Sequence, residues 1–199
     1  MSASRSSGLV AFGLLAALAA PASAQTGPIS ADLQIRLASQ AAPAELRDGV
    51  TVQGYDADGN FVTLKEGSNG LICMAPAPAR EELEVSCHHS GLEPYFERGR
   101  ELIAQGITGN ERTQARWNEY TAGTLPIPTG SINYIMTFEN FDRTSGEMEG
   151  AFLRWVVYTP NATTESSGIS SRPAAPGAPW LMFSGTPGSH IMIVPPQGG

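Results

Sequence analysis

Hydrophobic and polar positions alternate along this chain in three rhythms, and each rhythm predicts a different element. Between residues 30 and 42, Leu33 and Leu37 stand one helical turn apart behind Ser30, a good N-cap, and Pro43 closes the pattern. This predicts a short helix. Val50-Thr51-Val52-Gln53-Gly54-Tyr55 and Phe61-Val62-Thr63-Leu64 alternate with a period of two around Asp56-Ala57-Asp58-Gly59-Asn60. That combination predicts a β-hairpin. A second turn, Glu66-Gly67-Ser68-Asn69-Gly70, leads into a third short strand, Leu71 to Met74.

Helical spacing returns after Ser90. With Glu93 three residues later Ser90 fits a capping box, and Gly106 is placed to stop the helix. Leu92, Tyr95, Phe96, Leu102 and Ile103 fall on one stripe, so that face is expected in the core, with Glu97 and Arg100 outside. Thr108 and Glu111 repeat the capping spacing for a helix to about Thr121, anchored by Trp117 and Tyr120. Pro126 and Pro128 then impose an extended segment. The last third reads as strands: Ile132–Phe138, Phe152–Tyr158, Trp180–Phe183 and Ile191–Val194, rich in β-branched and aromatic residues. Trp180-Leu181-Met182-Phe183 is apolar at every position, the pattern of a central, covered strand. The stretch 159–179, rich in Ser, Pro and Gly, is long for a loop without structure, and such loops often carry function. The expected fold is α+β, a mainly antiparallel sheet packed against two central helices, as a single domain over residues 25–199.

The first 24 residues follow a separate logic. Arg5 is the sole charge before an unbroken apolar run, Gly8–Ala20, and Pro21 and Ala22-Ser23-Ala24 follow. This is the order of a cleavable secretory signal. The run is thirteen residues long, short of the about 20 a membrane-spanning helix needs. The expectation is an exported protein, periplasmic or extracellular, beginning at Gln25 with no membrane span after cleavage. Removal of Arg5 leaves 11 Lys and Arg against 19 Asp and Glu, a net charge of −8. An acidic chain without a basic cluster is a poor partner for nucleic acid.

Export also changes the reading of Cys73 and Cys87. In an oxidising compartment two cysteines predict one disulfide. It closes a loop of about 15 residues, worth on the order of 3 kcal/mol if chain entropy dominates. The intervening Pro76, Pro78 and Glu81-Glu82 look poorly able to order themselves without it. Zinc would need Cys73, Cys87, His88 and His89 together with the disulfide open. Covalent haem is disfavoured because Glu84 occupies the first cysteine position of the attachment motif. No metal and no cofactor is expected.

Glu66-Gly67-Ser68-Asn69-Gly70 with Cys73, and Pro179-Trp180-Leu181-Met182 with Gly185-Thr186-Pro187 and His190-Ile191-Met192, carry a resemblance. The chain resembles a group of uncharacterised exported bacterial proteins sharing E-G-x-N-G-x-x-C and a final P-W-x-M…G-T-P-x-x-H-I-M. The resemblance implies export and no particular activity. Gly188-Ser189 stands where the group would place an aromatic–Ala pair.

Several polar groups invite chemistry. Asp56, Asp58 and Asn60 match the start of a calcium loop, but Phe61 and Gly67 occupy the positions that need Gly and Glu. A hairpin turn is the simpler meaning. Glu93, Glu97 and Glu101 line one helix face with Arg98 and Arg100 between them, the pattern of a solvated surface. Asn161-Ala162-Thr163 fits a turn after Pro160. His190 follows a turn-rich loop, Gly185–Ser189, and enters an apolar strand, a position suited to a general base, a ligand contact or a loop-holding hydrogen bond. His190, Thr186, Glu165 and Ser167 therefore form the candidate ligand or active site, with the His88-His89 pair as further partners. The chain contains no G-x-S-x-G, H-E-x-x-H, phosphate-loop or dinucleotide fingerprint. The leading expectation is a non-catalytic binding module for an unknown small molecule or protein. The alternative is a small hydrolase-like or metal-assisted enzyme centred on His190. Protein recovered after export is expected to start at Gln25, which intact-mass measurement checks; a mass retaining Met1 to Ala24 would overturn the signal assignment.

Overall fold

The computed structural model describes residues 29–78 and 83–197. The expected export signal and the Glu81-Glu82 pair lie outside the described residues. Ser30 Oγ accepts from the Leu33 amide and opens α1, Ala31–Ser39. A 3-10 turn, Ala44–Gly49, leads to β1 (Thr51–Tyr55), β2 (Phe61–Lys65), β3 (Leu71–Met74) and β4 (Leu83–His89). Then come α2 (Glu93–Ala104), α3 (Gly109–Thr121), β5 (Ile132–Phe138), a small hairpin of β6 (Asn140–Phe141) and β7 (Met148–Glu149), and β8 (Phe152–Tyr158). A single helical turn, α4 (Thr164–Ser167), precedes β9 (Trp180–Met182) and β10 (His190–Ile193). The fold is α+β, as the sequence pattern implies. Eight strands form one sheet in the order β2-β1-β3-β4-β5-β8-β10-β9. Every pair is antiparallel except β1 with β3.

The β1–β2 hairpin forms where the alternation places it, and Asp56 Oδ1 accepts from the amides of Asp58 and Asn60 to hold its turn. The Glu66–Gly70 turn carries the chain across to the other edge of β1. It lies flat against residues 49–51, where the Ser68 and Asn69 amides donate to the Gly49 carbonyl. A Cβ on Gly67 would sit 2.2 Å from the Thr51 nitrogen, a backbone clash that only glycine avoids. Asn69 adds bonds to the Leu46 carbonyl and the Leu71 amide. The E-G-x-N-G element is thus a structural crossover.

The principal departure from the expected fold is β4. Residues between the cysteines were expected to be a poorly ordered loop, yet 83–89 form a central strand between β3 and β5. Cys73 and Cys87 are register partners on β3 and β4, bridged as expected, with Cα atoms 3.9 Å apart. The sheet carries helices on both faces. α1 buries Leu33, Leu37 and Ala38 against Val52, Val85 and the disulfide. α2 and α3 cover the opposite face, where Leu92 and Tyr95 pack with Leu125 and Ile127 from the extended segment after α3.

Three further expectations need correction. β9 is the edge strand. Its Leu181 is buried and its amide donates to Ser170, so the 159–179 segment covers it and makes an edge look central in sequence. Ser90 does not cap α2: Ser90–Leu92 form a 3-10 turn, and Glu93 turns inward instead of closing a capping box. On α2, Tyr95 and Leu102 are buried, but Ile103 is 47% exposed, because the buried stripe is narrower than the apolar one. Leu102→Ala should therefore cost about 2–5 kcal/mol, whereas Ile103→Ala should stay within about 0.5 kcal/mol of wild type. Urea unfolding midpoints of the two variants check the helix phase.

Candidate functional site

The face of the sheet under α2 and α3 holds both His88 and His190 with the rings packed around them. Period-two alternation sends Ser86 and His88 of β4 to this face while Val85 and Cys87 face α1. His88 is fully buried and stacks on Phe96, ring centroids 4.2 Å apart. Its Nε2 lies 2.7 Å from Glu93 Oε2, while Glu93 Oε1 accepts from Arg100 and from Gln53 Nε2. Arg100 in turn lies over the Phe61 ring, 4.7 Å from its centroid. Glu93 is therefore an internal anchor, not part of the solvated stripe expected from its spacing with Glu97 and Glu101.

Burial pushes the His88 pKa down, and neighbouring Arg100 and His89 push the same way, against the opposing pull of Glu93. Burial alone would raise Glu93, but its bonds and charge contacts with His88 and Arg100 outweigh that and hold it below the usual carboxylate range. An ionised Glu93 can only accept, so His88 carries its proton on Nε2. His88 Nδ1 is then a bare acceptor, buried without a partner, as is Oδ1 of its register partner Asn133.

His190 opens β10 opposite Tyr158 of β8 and Met182 of β9. Its Nδ1 lies 2.8 Å from the Gly188 carbonyl. A carbonyl only accepts, so Nδ1 bears the proton and Nε2 keeps a free lone pair. Burial lowers its pKa, opposed by the Gly188 bond. Tyr158 and Phe183 flank the ring at 5.7 and 5.6 Å between centroids. The loop before it is seated on α3. A Cβ at Gly188 would meet the Trp117 indole at 2.5 Å, so the space an aromatic would need at 188 is already filled by Trp117.

The other candidates are committed to the backbone. Thr186 Oγ1 donates to the Phe183 carbonyl, Ser189 Oγ to Ala162 and Ser167 Oγ to Thr163. Glu165 is exposed on α4 and accepts from Thr164 Oγ1. The 159–162 segment is tied to the loop through the amides of Thr159, Asn161 and Gly185. Thr186 and His190 thus share one loop, with α4 beside it. Among the described residues, no hydrogen bond joins His190 to Glu165, Ser167 or Thr186, and no three His, Cys, Asp or Glu side chains are grouped to hold a metal. His89 faces away from His88 and accepts from the Gly91 amide. His88 and His190 do not meet; two strands, β5 and β8, lie between β4 and β10 in the sheet.

Sequence spacing missed Phe183 and Arg116. Phe183 was assigned to a strand, whereas it lies past β9, 51% exposed, at φ 51°. Arg116 is buried on α3 one turn before Tyr120, and nothing in the spacing of the helix marks it. No family model matches this chain, and no curated protein or solved structure does either.

The two histidines set a pH dependence. In the unfolded chain each takes up a proton near pH 6.5, and burial lowers both values in the folded state. The unfolded state then binds more protons, so the stability they contribute is present above about pH 6.5 and is lost as pH falls below it. Unfolding midpoints between pH 7.5 and 5 should fall on acidification, and His88→Gln should flatten that fall.

Proposed function

We propose that this chain is an exported, non-catalytic binding module whose ligand docks on the face formed by Phe183, His190 and Trp117. The observation that carries this reading is Phe183. A large aromatic side chain is half exposed on a residue with left-handed backbone, a conformation costing on the order of 1 kcal/mol or more for a non-glycine residue. Two bonds from Thr186, through its amide and its hydroxyl, hold the Phe183 carbonyl in place. Trp117 meets the Phe183 ring edge-on at 5.7 Å. Strain and exposure together are what a preorganised contact surface requires, because an ordered aromatic loses little conformational freedom on binding. The export signal and the disulfide support a periplasmic or extracellular site of action.

The alternative, an enzyme centred on His190, is favoured by one feature: an unprotonated Nε2 on a partly exposed imidazole. Against it, each hydroxyl in the loop donates to a backbone carbonyl, so no nucleophile is bonded to that base. A thermal-shift screen with small aromatic and polar metabolites tests the binding reading, since any ligand specific to the folded state raises the melting temperature. Phe183→Gly should abolish the response to wild-type ligands while leaving stability within about 1 kcal/mol, because glycine relieves the left-handed strain. A loss of more than about 2 kcal/mol without change in ligand response would make Phe183 a packing residue and would sink this reading.

A further inference from the structure

The two halves of the C-terminal sequence element, Trp180-Leu181-Met182 and His190-Ile191-Met192, meet in space as β9 and the start of β10. Their antiparallel register sets His190 opposite Met182 and Met192 opposite Trp180. Alternation turns Leu181 and Ile191 to the other face, so an imidazole, two thioethers and an indole share one patch. Directly opposed Cβ atoms stand about 4.5–5.5 Å apart, a gap that His190 and Met182 can bridge through one ion. His190, Met182 and Trp180 are partly exposed, and Met192 is buried. An ion held between two partly exposed neighbours needs no enclosed cavity.

The donors on this patch have a definite chemical preference. The Nδ1–H of His190 is committed to the Gly188 carbonyl, 2.8 Å away, which fixes the tautomer and leaves Nε2 with the lone pair. Metal-bound histidines are oriented by a bond of this kind from the other ring nitrogen. Among the described residues no carboxylate bonds to His190, and the two cysteines of the chain are bridged to each other. The patch therefore offers neutral donors alone, one nitrogen and two soft sulfurs. Thioethers select soft ions such as copper(I), and a single charge costs less to desolvate than a double one when no anionic ligand offsets it. The expectation of no metal rested on zinc and calcium ligand patterns, in which a thioether has no place.

We propose that His190 Nε2 and the sulfurs of Met182 and Met192 form a binding site for a soft monovalent cation, copper(I) or silver(I). His190 and Met182, direct partners across the two strands, supply the first two donors, and Met192, two residues along on the same face, supplies the third. The Trp180 indole, opposite Met192, adds the attraction of an aromatic ring for a cation. Binding transfers no electron. It releases no proton at neutral pH, because burial lowers the His190 pKa and Nε2 is already bare. The net charge of −8 expected after export draws cations towards the protein. This site goes beyond the aromatic binding face, with which it shares His190.

The test uses the exported, disulfide-bonded protein with silver(I) nitrate in chloride-free buffer, copper(I) held reduced by ascorbate, and zinc(II) as the harder control. One equivalent of silver should raise the melting temperature and quench tryptophan fluorescence, and zinc should do neither. The quenching should shrink in Trp180→Phe. In the NMR spectrum the methyl groups of Met182 and Met192, each assigned by its loss on substitution with leucine, should shift on adding silver. Met182→Leu should weaken silver binding about tenfold or more, as should His190→Gln, whereas His89→Gln should leave it unchanged. Leucine keeps the volume of methionine, so Met182→Leu and Met192→Leu remove sulfur without emptying the site. The methyl shifts on the wild-type chain decide independently of any variant's folding. Silver binding unaltered in both leucine variants, binding lost instead in His89→Gln, or an equal response to zinc would overturn the proposal. So would the absence of any silver response, which leaves the aromatic face, tested by Phe183→Gly, standing. Loss of silver binding in Met182→Leu with the response to aromatic ligands retained would establish the two sites as separate.

Discussion

The parity of strand β4 is the constraint on which the two halves of this molecule depend. Its alternate residues face different worlds: Val85 and Cys87 enter the apolar layer under α1, while Ser86 and His88 enter the polar layer under α2. A slip of one residue in its pairing would exchange the two sets, placing an imidazole against Leu37 and the half-cystine against Glu93. The disulfide forbids that slip, because Cys73 and Cys87 are direct partners across β3 and β4. The bridge does more than close a loop. It fixes which face of the sheet each side chain meets, and through β5 it passes that choice to β8 and β10, where Tyr158 and His190 inherit the α2 side.

With parity set, electrostatics places the helices. Glu93 stands at the first position of α2 and reaches down to His88 on the sheet while Arg100, two turns on, folds back to it. A carboxylate at a helix start is also favoured by the helix dipole. This network holds α2 at a fixed height over β4, and Arg98 with Glu119 then ties α3 to α2. Both contacts are local to α2, so the position of α3, and with it Arg116 and Trp117, follows from the position of α2. The loop before His190 completes the chain of dependence, since Gly188 is cut to the profile of the Trp117 indole.

What the sequence revealed divides along physical lines. Short-range signals were legible: the Ser30 cap, the β1–β2 hairpin, the helices between residues 90 and 121, the strands of the last third and the cysteine pairing. The α+β class follows from these and was legible too. β4 was hidden because Pro76, Pro78 and the acidic pair suggested disorder, and because a strand with cysteine, serine and histidine facing inward lacks an apolar alternation. Glu93 was misread because a spacing of four marks a helix face but cannot say what that face meets. Trp180–Met182 looked central because cover by a distant loop leaves the same mark as cover by strands. For the site, His190 was legible as a residue at a loop–strand junction, whereas Arg116 and Phe183 acquire meaning only from contacts between residues far apart in the chain.

The arrangement of acids and bases bears directly on whether this fold is built for chemistry or for recognition. General acid–base catalysis needs a proton carrier with its orienting partner and a path to substrate. Here those requirements are divided between two histidines. His88 has the partner, a carboxylate 2.7 Å from Nε2, but its side chain is completely buried. His190 is partly exposed, yet its Nδ1 is held by the Gly188 carbonyl, which orients the ring without stabilising an imidazolium as a carboxylate would. Between them run Phe96, Tyr95 and Tyr158, rings that transmit packing and carry no proton path at neutral pH; burial pushes the Tyr158 phenol further upward. Splitting partner from access gives each histidine one of these requirements, and gives each a contact that holds the fold. At the outer end of this face Phe183 stands half exposed beside His190 and Trp117, and it is this aromatic surface, not a histidine with both partner and access, on which the proposed binding reading rests.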